Sequence, residues 1–245
     1  MNYFSDQRGI FERYLNESAG WAAHLQHTKQ AILTAANQYP KNSCAILGSG
    51  WLLDIPLDEL AQQFNEVYLF DILHPSQIKH KLQQYPNVHA IEQDITGGAV
   101  QQIYEAVQMF KSYKQKKNLS ELQITGFQYP HNFDFVASVN ILSQLDQMLL
   151  SYLRKYGLYN ESELKTLKTM LQTQHVNSLP QNKTCLITDY EEIITNIEGE
   201  VEIRQPILNV DLSAYHQLME WEWQFDQQQY YPGKNVIFRV KAVVL

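Results

Sequence analysis

The stretch Cys44-Ala45-Ile46-Leu47-Gly48-Ser49-Gly50 decides how this chain reads. A short apolar run ends in Gly-x-Gly, and the next apolar run, Val67-Tyr68-Leu69-Phe70, is closed by Asp71. The order is strand, glycine turn, helix, strand, carboxylate, which is how an open α/β sheet builds a pocket for a nucleoside-bearing ligand. Glycine at 48 and 50 allows a sharp turn and a close approach of ligand to backbone. The same pair also serves as a plain turn after a buried strand. A dinucleotide site would carry a third glycine against the pyrophosphate; positions 52 and 53 are leucine, which turns the pattern away from dinucleotides.

Outward from this turn, hydrophobic periodicity organises the chain. Residues 8–38 read as helix with a break near Ser18-Ala19-Gly20, ended by Pro40. Strands are expected at 44–48, 66–71, 88–92, 133–139 and 184–189, with helices between them near 56–64, 76–85, 99–112 and 141–175, the last broken around Gly157. A helix starting at Pro56 fits proline's tolerance in a first turn. The segment 113–132 reads as a surface excursion, 190–197 as a helix, and 200–210 as a loop with a short extended pair. Two strands, 220–225 and 235–244, close the chain as a hairpin. Alternating strands and helices predict a parallel sheet covered on both faces, with the hairpin adding an antiparallel strand at one edge.

Polar groups recur where these strands end. Asp71 closes the second strand; its carboxylate can accept both hydroxyls of a ribose, or simply start a loop. Asp94 follows the third, where it can accept from an adenine amino group beside the apolar Ile95, or serve as an Asx-turn residue. Asn140 ends the fourth and reads either as a ligand contact or as a helix cap. Ligands of open α/β sheets bind outside the carboxyl ends of the strands, so these residues share one rim.

This arrangement resembles the class I S-adenosylmethionine (SAM)-dependent methyltransferase superfamily over roughly residues 40–245. The resemblance implies a Rossmann-like seven-stranded mixed sheet of order 3-2-1-4-5-7-6 with strand seven antiparallel, helices on both faces, and residues 1–40 as an N-terminal helical cap on a 41–245 domain. It implies SAM as cofactor and S-adenosylhomocysteine (SAH) as product. Gly48, Ser49 and Gly50 match the loop that holds the methionine moiety, Asp71 with Ile72 the ribose side, Asp94 and Ile95 the adenine side, and Asn140 the region of the transferred methyl. The chain departs from the family at Ile46, where an acid is frequent, and at Trp51 and Leu52, where small residues are usual. After strand four it reads Ser138-Val139-Asn140-Ile141 rather than Asn/Asp-Pro-Pro-Tyr, which weakens a nucleic-acid amino-methylating role.

Helices ahead of strand one often cover the cofactor in that family, which makes Tyr14, Trp21 and His24 the candidate acceptor-binding residues; each also fits a core or surface place. His24 and His131 are the candidates for a base, and His74 lies near an expected rim loop. No catalytic residue is singled out. Methyl transfer depends mainly on holding donor and acceptor in line, so a site can work without an evident acid–base pair. The alternative reading is a non-catalytic SAM- or SAH-binding or protein-interaction module on the same fold.

Bulk properties frame these expectations. The 245 residues are 44% hydrophobic and 18% charged, an ordinary globular composition for one large domain. Net charge is −7, from 19 Lys and Arg against 26 Asp and Glu, which points away from global attraction to nucleic acid and anionic membrane and leaves a local basic groove open; a small-molecule acceptor is the expectation. No apolar run approaches the roughly 18–20 residues a bilayer span needs, and the N-terminus lacks an apolar signal core, so a cytoplasmic protein is expected. Cys44 and Cys185 each begin a strand with another strand expected between them, beyond disulfide reach. Metal-ligand spacings are absent from the sequence.

Overall fold

A computed structural model describes residues 3–228 and 230–245. Its strands are β1 (Ser43–Leu47), β2 (Glu66–Asp71), β3 (Val88–Glu92), β4 (Phe135–Val139), β5 (Thr184–Asn196), β6 (Val201–Pro206), β7 (His216–Gln227) and β8 (Lys234–Val244). Its helices are α1 (Tyr3–Asn16), α2 (Ser18–Ala36), α3 (Leu57–Gln63), α4 (Ser76–Leu82), α5 (Ala99–Tyr113), α6 (Gln147–Tyr156) and α7 (Glu161–Ser178). None of them is long and apolar enough to cross a membrane.

The sheet runs β3-β2-β1-β4-β5-β8-β7, with β6 off this path. The first five strands pair in parallel, while β8 lies antiparallel between β5 and β7. This is the expected α/β order with one strand added. The addition corrects the reading of 190–197 as a helix. There β5 continues past a register shift between Asp189 and Glu191, and Glu191–Thr195 pair with β6 while the same residues pair with β8. Ile193, Ile194 and Thr195 favour the pleated state because β-branched side chains pack well on it and are crowded in a helix. β6 thus flanks the outer half of β5, and β4 flanks its inner half.

Other boundaries shift locally. Residues 141–146 form turns before α6. α7 starts behind Asn160, whose side chain accepts from Glu163 N while Glu163 reaches back, a capping box that stops the two helices from merging. The 113–132 excursion contributes Leu122, Ile124 and Phe127 to buried clusters, so only part of it is surface.

The core forms two layers about the sheet. On one face α2 places Ala31, Ile32, Ala35 and Ala36 against Cys44, Ile46, Phe135 and Ala137. These α2 positions recur at helical spacing, one stripe facing the sheet. On the other face Ala45, Leu47, Val136 and Leu186 meet Leu142, Leu145 and Val176. β1 and β4 are buried on nearly every residue, as strands covered on both faces must be. Cys44 and Cys185 are free and buried, separated by β4. Burial pushes the Cys185 thiol up to about 12, so it stays protonated and acts as a small apolar side chain.

Candidate functional site

The carboxyl ends of β1, β2, β3 and β4 open into one cavity of about 350 Å³, within the size range of small-molecule sites. Its floor is the turn after β1. Gly48 N and Ser49 N donate to Phe70 O at 2.9 and 3.3 Å, which bends the chain back over β2. Gly48 has φ +84°, and a Cβ there would lie 2.7 Å from Val139 O, so both backbone conformation and space demand glycine. The chain then runs through Trp51, Leu52 and Leu53 to Asp54 before α3 begins at Leu57. Leu52 is held in the left-handed region at φ 56°, as is Asn140 at φ 50°. Two non-glycine residues so held beside one cavity mark a place where packing overrides local preference.

One wall carries Asp71, Ile72, Asp94, Ile95 and Thr96. Asp71 Oδ2 accepts from Gly50 N at 2.8 Å, and Oδ1 accepts from Leu73 N at 3.4 Å. The Gln7 amide, reaching down from α1, lies 3.5 Å from Oδ1. Burial pushes the Asp71 carboxyl up to about 6, against the opposing pull of these backbone donors. Asp94 Oδ1 accepts from Thr96 N at 2.8 Å, closing an Asx-turn, and the residue also lines the cavity. The Asx-turn is therefore formed, and it fixes the side chain at the rim of the cavity.

The opposite wall comes from α2, the loop after β1, the end of β4 and β7. His24 is buried and stacks on Trp223 with centroids 3.9 Å apart. Trp221 Nε1 donates to His24 Nδ1 at 3.1 Å. Burial, reinforced by His27, lowers the His24 pKa to about 3, so the ring is neutral and carries its proton on Nε2. That N–H faces Asn140 Nδ2 at 3.3 Å, and Asn140 Nδ2 lies 2.7 Å from Asp54 Oδ2. Asn140 Oδ1 is buried with no partner. Burial raises the Asp54 pKa, partly offset by the Asn140 hydrogen bond and by Lys29.

Every residue expected at the cofactor lines this cavity: Gly48, Ser49, Gly50, Asp71, Ile72, Asp94, Ile95 and Asn140. Trp21 and His24 line it too. Tyr14 does not; it packs against Phe11 and Trp21 and faces a separate shallow groove with Ala22, Lys29 and Leu33. The difference is rotational, since Tyr14 sits on α1 and points beside α2 rather than beneath it. His131 is exposed ahead of β4, against Tyr68 and Phe133, at the amino end of the sheet. It cannot reach the cavity as a base. His74 is buried behind the floor, its Nε2 2.8 Å from Ser49 Oγ, with its pKa lowered to about 4 by burial. Ser49 Oγ is also 3.2 Å from Phe70 O, so its hydroxyl faces the protein and only its backbone is left for a ligand. His24 is no base either, because its lone pair at Nδ1 is taken by Trp221.

Sequence reasoning missed Gln7, Asp54 and Trp223. Asp54 had a signal: a single acid in the apolar loop Trp51-Leu52-Leu53-Asp54-Ile55 between the glycine turn and the helix start at Pro56. Trp223 had one too, in the period-two series Trp221, Trp223, Phe225, which presents aromatic rings to α2. Gln7 had none. α1 is brought down by Phe11 stacking on Trp51 at 4.3 Å and by Trp51 Nε1 donating to Gln7 O at 2.7 Å.

Among the described residues, no Lys or Arg lines the cavity, whereas Asp54, Asp71 and Asp94 do. The glycine turn is also separated from α3 by irregular chain, so the N-terminus of α3 does not adjoin the floor. Both features disfavour a pyrophosphate, which needs amide dipoles or cations. They favour a ligand that is neutral or cationic where it meets these acids.

No protein-family model and no curated protein sequence matches the chain. Solved structures that are similar over most of its length include the N-methyltransferase NodS from Bradyrhizobium japonicum WM9, at 10% identity and TM-score 0.43 over 90% of this chain and 96% of that one. A second is the Burkholderia thailandensis 1,6-didemethyltoxoflavin-N1-methyltransferase with bound 1,6-didemethyltoxoflavin and S-adenosylhomocysteine, at 9% identity and TM-score 0.43 over 98% and 87%. A third is the glycopeptide N-methyltransferase MtfA, at 11% identity and TM-score 0.37 over 89% and 96%.

Proposed function

We propose that this protein binds SAM in the cavity at the carboxyl ends of β1–β4 and transfers its methyl group to a small acceptor. One observation carries the reading: the strand-end residues Gly48–Gly50, Asp71, Asp94 and Asn140 converge on a single cavity that is acidic and, among the described residues, has no lining Lys or Arg. SAM suits that charge, since it presents a sulfonium cation and two ribose hydroxyls and no phosphate. When bound, it supplies a methyl group activated by the positive sulfur.

The chain's own residues would do the rest by positioning. Asp71 is already oriented by Gly50 N–H, and its Oδ1, with only the long contacts to Leu73 N at 3.4 Å and Gln7 Nε2 at 3.5 Å, is the oxygen for a ribose hydroxyl. Ile72 and Ile95 give apolar walls, and Asp94, fixed by Thr96, is set to accept from an amino group. α1 covers the floor through Gln7, Phe11 and Trp51, which keeps water from a reaction that needs none.

Calorimetric titration with SAM, SAH and NADH tests the reading. SAM and SAH are expected to bind and NADH is not, and Asp71→Ala should weaken SAM by at least about tenfold, the value of one good charge-assisted hydrogen bond. Binding of NADH alone would overturn it. The second reading, a non-catalytic SAM- or SAH-binding module, is favoured by His24, whose ring nitrogens both face engaged partners and leave no imidazole base. SAM binding without turnover on any member of an amine, hydroxyl and thiol acceptor panel is the outcome that favours it.

A further inference from the structure

The wall opposite Asp71 holds a buried acceptor without a donor, beside a carboxylate. Asn140 is 8% exposed and lines the cavity, yet its Oδ1 has no partner. Asp54 is half-buried and lines the same cavity, bonded through Oδ2 to Asn140 alone among the described side chains. The other donor nearby, His24 Nε2–H, points at the amide nitrogen and satisfies neither oxygen. The same cavity is lined by Trp21, Trp223 and Met148, with Gln144 and Gln147 as neutral polar residues. A buried carbonyl without a donor costs free energy, and a ligand with two N–H groups removes that cost while giving the Asp54 carboxylate a second donor beside Asn140.

We propose that Asp54 and Asn140 form the acceptor subsite and that the methyl acceptor is an amine. The assignment rests on the methyl-transfer reading and goes beyond it by naming the substrate class. An amine presents N–H to Asp54 and to Asn140 Oδ1, while the tryptophan faces favour the positive charge that develops on its nitrogen as the methyl group arrives. A carboxylate or phosphate brings only further acceptors and a like charge. In the reaction the amine lone pair forms the N–C bond as the sulfonium C–S bond breaks and its electron pair returns to sulfur. The nitrogen becomes an ammonium, and one N–H proton passes to the Asp54 carboxylate. Burial that raises the Asp54 pKa makes it a willing proton acceptor.

The test uses the full-length protein saturated with SAH, titrated with benzylamine and with benzoate, read by calorimetry and tryptophan fluorescence. Wild type should bind benzylamine at least about tenfold more tightly than benzoate. Asp54→Asn should abolish that preference while the SAH dissociation constant stays within about twofold. Equal or tighter benzoate binding to wild type overturns the amine assignment and needs no variant. So does a preference that survives in Asp54→Asn. In both cases SAH binding still stands, and only the acceptor subsite falls. Failure of SAM and SAH to bind wild type is the separate result that removes the methyl-transfer reading and this subsite with it.

Discussion

The two walls of the cavity each hold a carboxyl group, and they hold it by different means. Asp71 stands at the end of a central strand and is tied by main-chain donors, Gly50 N–H and Leu73 N–H. Its position follows from the turn that brings Gly48 N–H onto Phe70 O. Asp54 lies on irregular chain and is tied by one side chain, Asn140, which is itself held in a left-handed conformation. The first wall is made by backbone that is adjacent in the sheet. The second is assembled from α2, a loop, a strand end and β7. Backbone donors give a carboxylate a fixed place; a side-chain partner leaves it free to change its hydrogen bonding with its ligand and its proton.

If the first wall is a backbone device, breaking its backbone should be the largest effect. Gly48→Ala puts a methyl group 2.7 Å from Val139 O at φ +84°. Strain in that region and overpacking together should cost about 3 kcal/mol, seen as a lower urea midpoint at unchanged slope. A cost below about 1 kcal/mol would mean that the turn relaxes easily and that Asp71 owes its place to something else.

Titration of Asp71 gives an effect of similar size. The Asp71 pKa is raised from 3.8 to about 6 by burial, so the folded state holds this proton more tightly than the unfolded chain. The resulting stabilisation is present in full below pH 3.8 and is lost as pH rises through about 6. The shift corresponds to about 3 kcal/mol. Unfolding of wild type and Asp71→Asn, compared at pH 4 and pH 7.5, should move by about that amount in favour of the variant at the higher pH. A difference that does not change with pH would show Asp71 ionised throughout, tied by its amides alone. Asp54, also raised by burial, should give the same sign.

The same contrast explains what the sequence disclosed. The glycine turn, the strand-end acids and the order of the sheet follow from local chemistry: Gly-x-Gly after an apolar run, Asp71 at a strand end, β-branched runs between helices. Each can be read within a few residues. The second wall joins His24, Asp54, Asn140 and Trp221, which are far apart in the chain, and nothing in any one neighbourhood specifies the others. Tyr14 faces a different groove for the same reason, since helical spacing places it on a face but does not say which groove the face meets. Residues 190–197 depart from the expected helix for another. Glu191, Glu192, Ile193 and Ile194 are compatible with a helix, and only pairing to both β6 and β8 makes them strand.

The smallest effect probes the hydrogen-bond order of the second wall. Trp221 Nε1 fixes the His24 proton on Nε2 by donating to Nδ1. That sets His24 Nε2–H against Asn140 Nδ2, two donors at 3.3 Å. Turning the amide over would give His24 an acceptor, but it would then set Asn140 Oδ1 against Asp54 Oδ2, a contact that bonds only if Asp54 carries a proton. The tautomer of His24 and the charge of Asp54 are therefore coupled through one amide. Trp221→Phe removes the donor and should cost about 1 kcal/mol. It should also let the imidazole proton move to Nδ1, so that Nε2 accepts from Asn140 and the amide nitrogen can serve His24 and Asp54 together. Nitrogen-15 shifts of the His24 ring report which nitrogen is protonated. Wild type should show Nε2–H and the variant a shift toward Nδ1–H, with the Asp54 pKa falling as its ionised form gains a consistent partner. A wild-type ring protonated on Nδ1 would remove the donor conflict, and with it the reason for Asp54 to differ from Asp71.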